Sequence, residues 1–153
     1  MRFQTKTEYA IVCLINMAKH YEPQRVMALE EIAKAEHYPI DFMKKIFQKL
    51  RKSGIVTSQQ GKNGGYALSK PPSEITLKEV IDGLEGATFE VFCNDPVAEG
   101  IVCTHLCLCG MKPIWRKTKK LLDEFYQTVT LEDLAKETTM FDNVTLMKEG
   151  RAV

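Results

Sequence analysis

No run of apolar residues in this chain approaches the roughly twenty that a membrane-crossing helix needs. The opening Met1-Arg2-Phe3-Gln4-Thr5 begins no hydrophobic signal-peptide run, so the expectation is a cytoplasmic protein with no membrane partner. Internal repeats and low-complexity tracts are absent. So is a phosphate-binding glycine motif, because Gly61 to Gly65 lacks the Lys-Ser/Thr ending such a loop requires. No Ser/His/Asp arrangement is evident either, and an enzyme is not expected.

What is present is enough for a core: 153 residues, 44% of them apolar, which suits one domain with an added element or a single compact domain. The net charge is only +1, but it is unevenly placed. Residues 1–80 carry 13 Lys and Arg against 8 Asp and Glu, whereas residues 81–153 carry 8 against 12. A basic front half is suited to meeting phosphate. Of the five cysteines, Cys13 stands alone and Cys93, Cys103, Cys107 and Cys109 fall close together. Without a secretion signal, such a cluster points to metal binding or redox sensing rather than structural disulfides.

Periodicity predicts a first helix over residues 7–20, with Ala10, Cys13, Leu14, Met17 and Ala18 inward and Cys13 a small core residue. A short second helix follows over Leu29 to Ala35. Glu36-His37-Tyr38-Pro39 breaks it, and Pro39 suits the first turn of a third helix that ends near Ser53. Met43, Ile46, Phe47 and Leu50 make the core stripe of that helix, and Gly54 stands where a left-handed C-cap is expected. Ile55 to Gln59 and Tyr66 to Leu68 flank the turn-forming Gly61-Lys62-Asn63-Gly64-Gly65 and read as a β-hairpin. Thr76 and Glu79 match a capping box for a helix that Gly86 stops. Residues 87–109 read as an irregular loop. Residues 113–127 read as a long helix with an apolar stripe of Ile114, Thr118, Leu121, Leu122, Phe125 and Val129, and Thr130 opens one more short helix.

Helix, short helix, turn, helix and β-hairpin in this order follow the winged helix-turn-helix plan, and the third helix takes the recognition position. Its solvent face carries Asp41, Lys44, Lys45, Gln48 and Lys52, with Lys49 and Arg51 on the flanks. Lys and Arg there can neutralise phosphates or reach guanine edges, and Gln48 can pair with adenine. Lys62, at the hairpin tip, is placed to touch an adjacent phosphate or the minor groove.

Met1-Arg2-Phe3, Lys6, Tyr9-Ala10, the block Leu50-Arg51-Lys52-Ser53-Gly54-Ile55-Val56 and the turn Gly61 with Gly64-Gly65-Tyr66-Ala67-Leu68 together resemble the BadM/Rrf-two family of transcription regulators. Ile75-Thr76-Leu77, Val80-Ile81 and the cysteine loop ending in Trp115 fit the same pattern, and the iron–sulfur branch of that family holds the IscR-like and NsrR-like proteins. The resemblance covers about residues 1–127. It implies a mainly α fold with a small β-hairpin, a homodimer on a palindromic operator in double-stranded DNA, and dimer contacts from the long helix at Ile114, Thr118, Leu121, Leu122 and Phe125. The chain departs from many relatives at the wing, where an arginine that enters the minor groove is replaced by Gln60, preceded by Gln59. Lys44 stands at a position that is acidic in some IscR-like relatives, which implies a different operator.

Cys93, Cys103 and Cys109 resemble the three family cysteines, which implies an iron–sulfur cluster, 2Fe–2S or 4Fe–4S, as cofactor. Five residues separate Cys103 from Cys109, as in relatives, but nine separate Cys93 from Cys103 where the common pattern has about five. The histidine some relatives place three residues after the last cysteine is Lys112 here, a poor ligand while protonated. Glu8, Cys107 and His105 remain candidates for a fourth ligand. Zinc binding, thiol–disulfide sensing, and a cluster-free dimer controlled by a metabolite or a partner protein stay open beside the cluster. The expected organisation is a DNA-binding domain over 1–86, a sensor loop over 87–112, a dimerisation helix with a short helix over 113–138, and a tail over 139–153.

Overall fold

The computed structural model describes residues 3–61, 63–89 and 109–136. Helix α1 (Thr5–Lys19) buries Thr7, Ala10, Cys13, Leu14 and Met17, the three-and-four spacing of one helical face. Gln4 provides no side-chain cap at its start. Glu85, far along the chain, takes that place by accepting hydrogen bonds from the Gln4 amide at 3.0 Å and from the Thr7 hydroxyl. A carboxylate there also meets the positive end of the helix.

Helices α2 (Leu29–Ala35) and α3 (Ile40–Lys52) form the helix-turn-helix. His37 turns the chain between them with φ of 56°. Pro39, expected in the first turn of α3, instead precedes it as the N-cap residue, where its fixed φ suits the extended backbone and its missing N–H again costs nothing. Helix α3 closes as the sequence requires. Gly54 is left-handed at φ 76°, its amide donates to Arg51 O at 3.1 Å, and the Ile55 amide donates to Leu50 O at 3.0 Å. These two bonds form a Schellman motif, with Ile55 and Leu50 both buried, and they turn the chain directly into the first strand.

Strands β1 (Val56–Gln59) and β2 (Gly65–Leu68) pair antiparallel, with Val56 opposite Leu68 and Gln59 opposite Gly65. Outside the hairpin, Met27 and Tyr66 exchange both backbone hydrogen bonds at 2.9 Å, which ties β2 to the segment leading into α2. Gly65 is needed at this crossing, because a Cβ there would stand 2.2 Å from Met27 O. A 3-10 turn over Pro72–Glu74 precedes α4 (Leu77–Glu85), whose Thr76–Glu79 capping box forms in both directions. Gly86, at φ 98°, ends α4.

Helix α5 (Met111–Thr128) starts two residues before Pro113, which still lies among the first-turn residues whose N–H has no intrahelical partner. Helix α6 (Leu131–Ala135) opens on a second capping box, Thr130 with Asp133. It packs against α1, with Leu131 fully buried in the N-terminal core beside Leu14, Phe47, Ile75 and Leu84. The Leu77 amide donates to Val129 O at 2.8 Å and the Leu131 amide to Ile75 O at 2.9 Å, which locks the arrangement. The fold is a winged helix-turn-helix, mainly helical with a two-stranded hairpin. No helix among the described residues is long and apolar enough to cross a membrane.

Candidate nucleic-acid interface and sensor region

Burial divides α3 cleanly. Met43, Ile46, Phe47 and Leu50 are buried, while Asp41, Lys44, Lys45, Gln48, Arg51 and Lys52 are exposed. The helix therefore offers solvent a face that is basic except for Asp41 and the neutral Gln48. Lys44 Nζ lies 3.0 Å from Asp41 Oδ1. Lys45 and Lys52 have no acidic partner among the described residues. Arg51 donates to Ser58 Oγ at 3.2 Å, so the end of α3 is clasped to the first strand of the wing. Sequence reasoning missed that clasp; the signal for it was a polar β-run whose side chains alternate beside a helix already known to end at Gly54.

Lys49 departs from the expected role. It is half-buried and donates its ammonium to Leu84 O at the end of α4, so it joins two elements of the fold instead of facing outward with Lys45 and Lys52. Gln60 is exposed at the end of β1. Lys62 lies outside the described residues.

A second polar and aromatic grouping borders α3. Tyr9 of α1 stacks on Tyr38 at a centroid distance of 4.2 Å and meets Phe42 of α3 edge-on at 5.5 Å. The start of α1 is thereby connected to the start of the recognition helix. Cys13 lies behind this group, fully buried and 3.8 Å from the Met43 sulfur. Burial, with a smaller contribution from the Glu36 charge, pushes its thiol up to about 12, so it stays protonated and serves as core.

Of the candidate ligands, Cys93, Cys103, His105 and Cys107 lie outside the described residues. Cys109 is half-buried and unbridged, two residues before α5. Glu8 is exposed in the first turn of α1. Among the described residues there is no group of three or more potential metal ligands. The flanks of the cysteine segment are nevertheless well placed. Thr88 is buried and donates its hydroxyl to Asp123 of α5, and the Phe89 ring sits 5.7 Å from that of Trp115. The flank before residues 90–108 thus rests on α5, and the flank after them, Cys109, leads directly into it, its carbonyl accepting from the Lys112 amide at 3.2 Å. Burial alone would raise the Asp123 carboxyl, but hydrogen bonds from Thr88 and Lys119 and the charges of Lys119 and Lys78 hold it below its ordinary value.

Helix α5 buries none of its own side chains in the single chain. Ile114, Leu121 and Phe125 are 52%, 57% and 44% exposed, while Thr118 and Leu122 are half-buried. Met111 extends the same stripe at 45% exposed.

Comparison with known proteins agrees with this geometry. Residues 3–137 match the protein family described as "Rrf2: Iron-dependent Transcriptional regulator". Protein rrf2 of Nitratidesulfovibrio vulgaris is 28% identical over 140 residues, covering 92% of this chain and 91% of that protein. The HTH-type transcriptional regulator IscR of Photorhabdus laumondii is 29% identical over 142 residues, covering 93% and 84%. Among solved structures, CymR, the global cysteine regulator of B. subtilis, superposes with a TM-score of 0.68 at 27% identity, covering 90% of this chain and 98% of that one.

Proposed function

Because the chain belongs to the Rrf2 family of transcriptional regulators, we propose that it binds a palindromic operator as a homodimer and that a cysteine-held cofactor sets how tightly it binds. The relatives are regulators of transcription, not enzymes. The observation that carries the DNA-binding face is the division of α3, apolar and buried on one side, basic and open on the other.

In this reading Lys45 and Lys52 neutralise phosphates and displace counterions. Gln48 reads an adenine edge in the major groove. The hairpin lies alongside, held in place by the Arg51–Ser58 clasp and offering Gln60 and Lys62 to the neighbouring backbone. Two copies of α3 then meet successive major grooves about 34 Å apart. Helix α5 joins the copies. Ile114, Thr118, Leu121 and Phe125 recur at intervals of four, three and four, the seam spacing of paired helices, and its three apolar members are exposed in the single chain.

Cys93, Cys103 and Cys109 would hold an iron–sulfur cluster, with Glu8 of the partner subunit, Cys107 or His105 as the remaining ligand, and the group would supply a centre sensitive to redox state and nitric oxide. The donor chemistry is suited to it: four thiols close together in the sequence, one of which, Cys109, is unbridged and partly accessible. The preceding flank of the segment rests on α5 and the following one leads into it, so a change at its cysteines would bear on the helix that pairs the two copies.

Purification under anaerobic conditions tests the cofactor. The expected result is a coloured protein with iron and sulfide in comparable amounts and an operator affinity that changes when they are removed. The likeness to CymR favours a second reading, a cluster-free regulator controlled by a metabolite or a partner protein. A colourless chain that binds operator with neither iron nor zinc would select it, and zinc alone would select a thiolate–zinc site.

A further inference from the structure

One feature of the recognition helix runs against its charge. Asp41 stands in the first turn of α3, with its side chain 87% exposed, on the face that meets a polyanion. The N-terminal residues of a recognition helix are the ones that reach base edges. A carboxylate there is repelled by phosphate and stabilised only by a donor. In the major groove the base donors are the amines of cytosine (N4) and adenine (N6). Adenine sets its N7 lone pair beside N6, which a carboxylate meets unfavourably; cytosine presents its amine without that neighbour. Lys44 projects from the same face one turn later, with Nζ 3.0 Å from Asp41 Oδ1. That distance is the spacing of an ordinary N–H···O bond, and hence the spacing between cytosine N4 and guanine O6 across one base pair. The carboxylate and ammonium therefore form an acceptor–donor pair complementary to the donor–acceptor edge of a single C·G pair.

We propose that Asp41 and Lys44 together read one C·G base pair in each half-site, Asp41 accepting from cytosine N4 and Lys44 donating to guanine O6 and N7. This assignment rests on the DNA-binding reading above and specifies what its first turn recognises. An exposed pair three residues apart contributes little to helix stability, so removing it tests recognition with little cost to the fold.

The test is selection of bound sequences from a random duplex library by the full-length chain isolated anaerobically, repeated with Asp41→Ala and Asp41→Asn. Circular dichroism checks that both variants keep the native helix content. The wild-type chain is expected to enrich a symmetric motif with an invariant C·G pair in each half-site. Asp41→Ala should lose about tenfold of the discrimination at that one position and leave the rest of the motif in place. Asp41→Asn should move the preference there from cytosine toward adenine, which an amide pairs bidentately. If both variants bind all duplexes more tightly with the motif unchanged, Asp41 is only a helix-terminus charge and the assignment fails. A motif blurred at every position by either folded variant also overturns it. Enrichment of no sequence by the wild-type chain would overturn the DNA-binding reading itself.

Discussion

Asp123 shows how much one side chain can hold together. It accepts from the Thr88 hydroxyl, pairs with Lys119 at 3.1 Å, and so anchors the near flank of the cysteine segment on α5. Its carboxyl is held below the ordinary value of 3.8, so the stability it contributes is present above that value and is lost as pH falls through the lowered one. Asp123→Asn should therefore lower the unfolding free energy at neutral pH by about 1 kcal/mol. The gap between variant and parent should shrink as pH falls below 3.8, as read by urea unfolding at several pH values. A gap that stays constant with pH would place the contribution elsewhere. Lys49 makes a different point at the same scale. Helical spacing places it on the flank of α3, but only the position of Leu84, thirty-five residues on, decides that its ammonium turns inward to cap α4.

Elements were legible where local chemistry decides them. Gly54, the Thr76–Glu79 box and Gly86 mark helix ends that form where the sequence places them, because a left-handed residue or a reciprocal side-chain cap needs only its immediate neighbours. The hairpin was legible for the same reason, but its attachment was not. Gly65 has to be glycine because Met27 crosses it, a contact between segments far apart in the chain. Gly65→Ala is expected to cost about 2 kcal/mol by overpacking. It should also weaken operator binding by loosening the wing, and full stability with full affinity in that variant would contradict this attachment. The α5 stripe marks the opposite limit. Its period is plain in the sequence, yet only the structure leaves Ile114, Leu121 and Phe125 exposed among the described residues. Leu121→Asp combined with Phe125→Asp should yield a folded monomer by sedimentation, with helix content kept, since neither side chain supports the core of the single chain. A dimer that persists would move the interface off α5.

At the scale of the whole molecule, the described flanks of the cysteine segment, α5 and α3 are connected through packed elements. Thr88, Phe89 and Cys109 lie on or beside α5; α4 packs on both α5 and α3; α6 returns the chain to α1, and Tyr9 joins α1 to Phe42 at the head of α3. The return of α6 was not legible, because Leu131 reads as part of a short amphipathic helix until Ile75 and the core of α1 are in place. Nor could the thiols by themselves distinguish a cluster from zinc or a disulfide switch, since all three use the same donors. In the proposed dimer this gives a short mechanical route from Thr88, Phe89 and Cys109 to both copies of α3, along which a change at the cysteines would alter the spacing those helices present to DNA.

The central claim is that the open face of α3 meets the DNA backbone in duplicate. Operator affinity measured against salt concentration tests it most directly, for the parent chain and for Lys45→Ala and Lys52→Ala. A steep linear fall of log affinity with log salt is expected in the parent. Each variant should flatten the slope by about 0.9 for every phosphate contact removed, and so by about twice that in a two-fold pair. Slopes and affinities identical to the parent in both variants would contradict the claim.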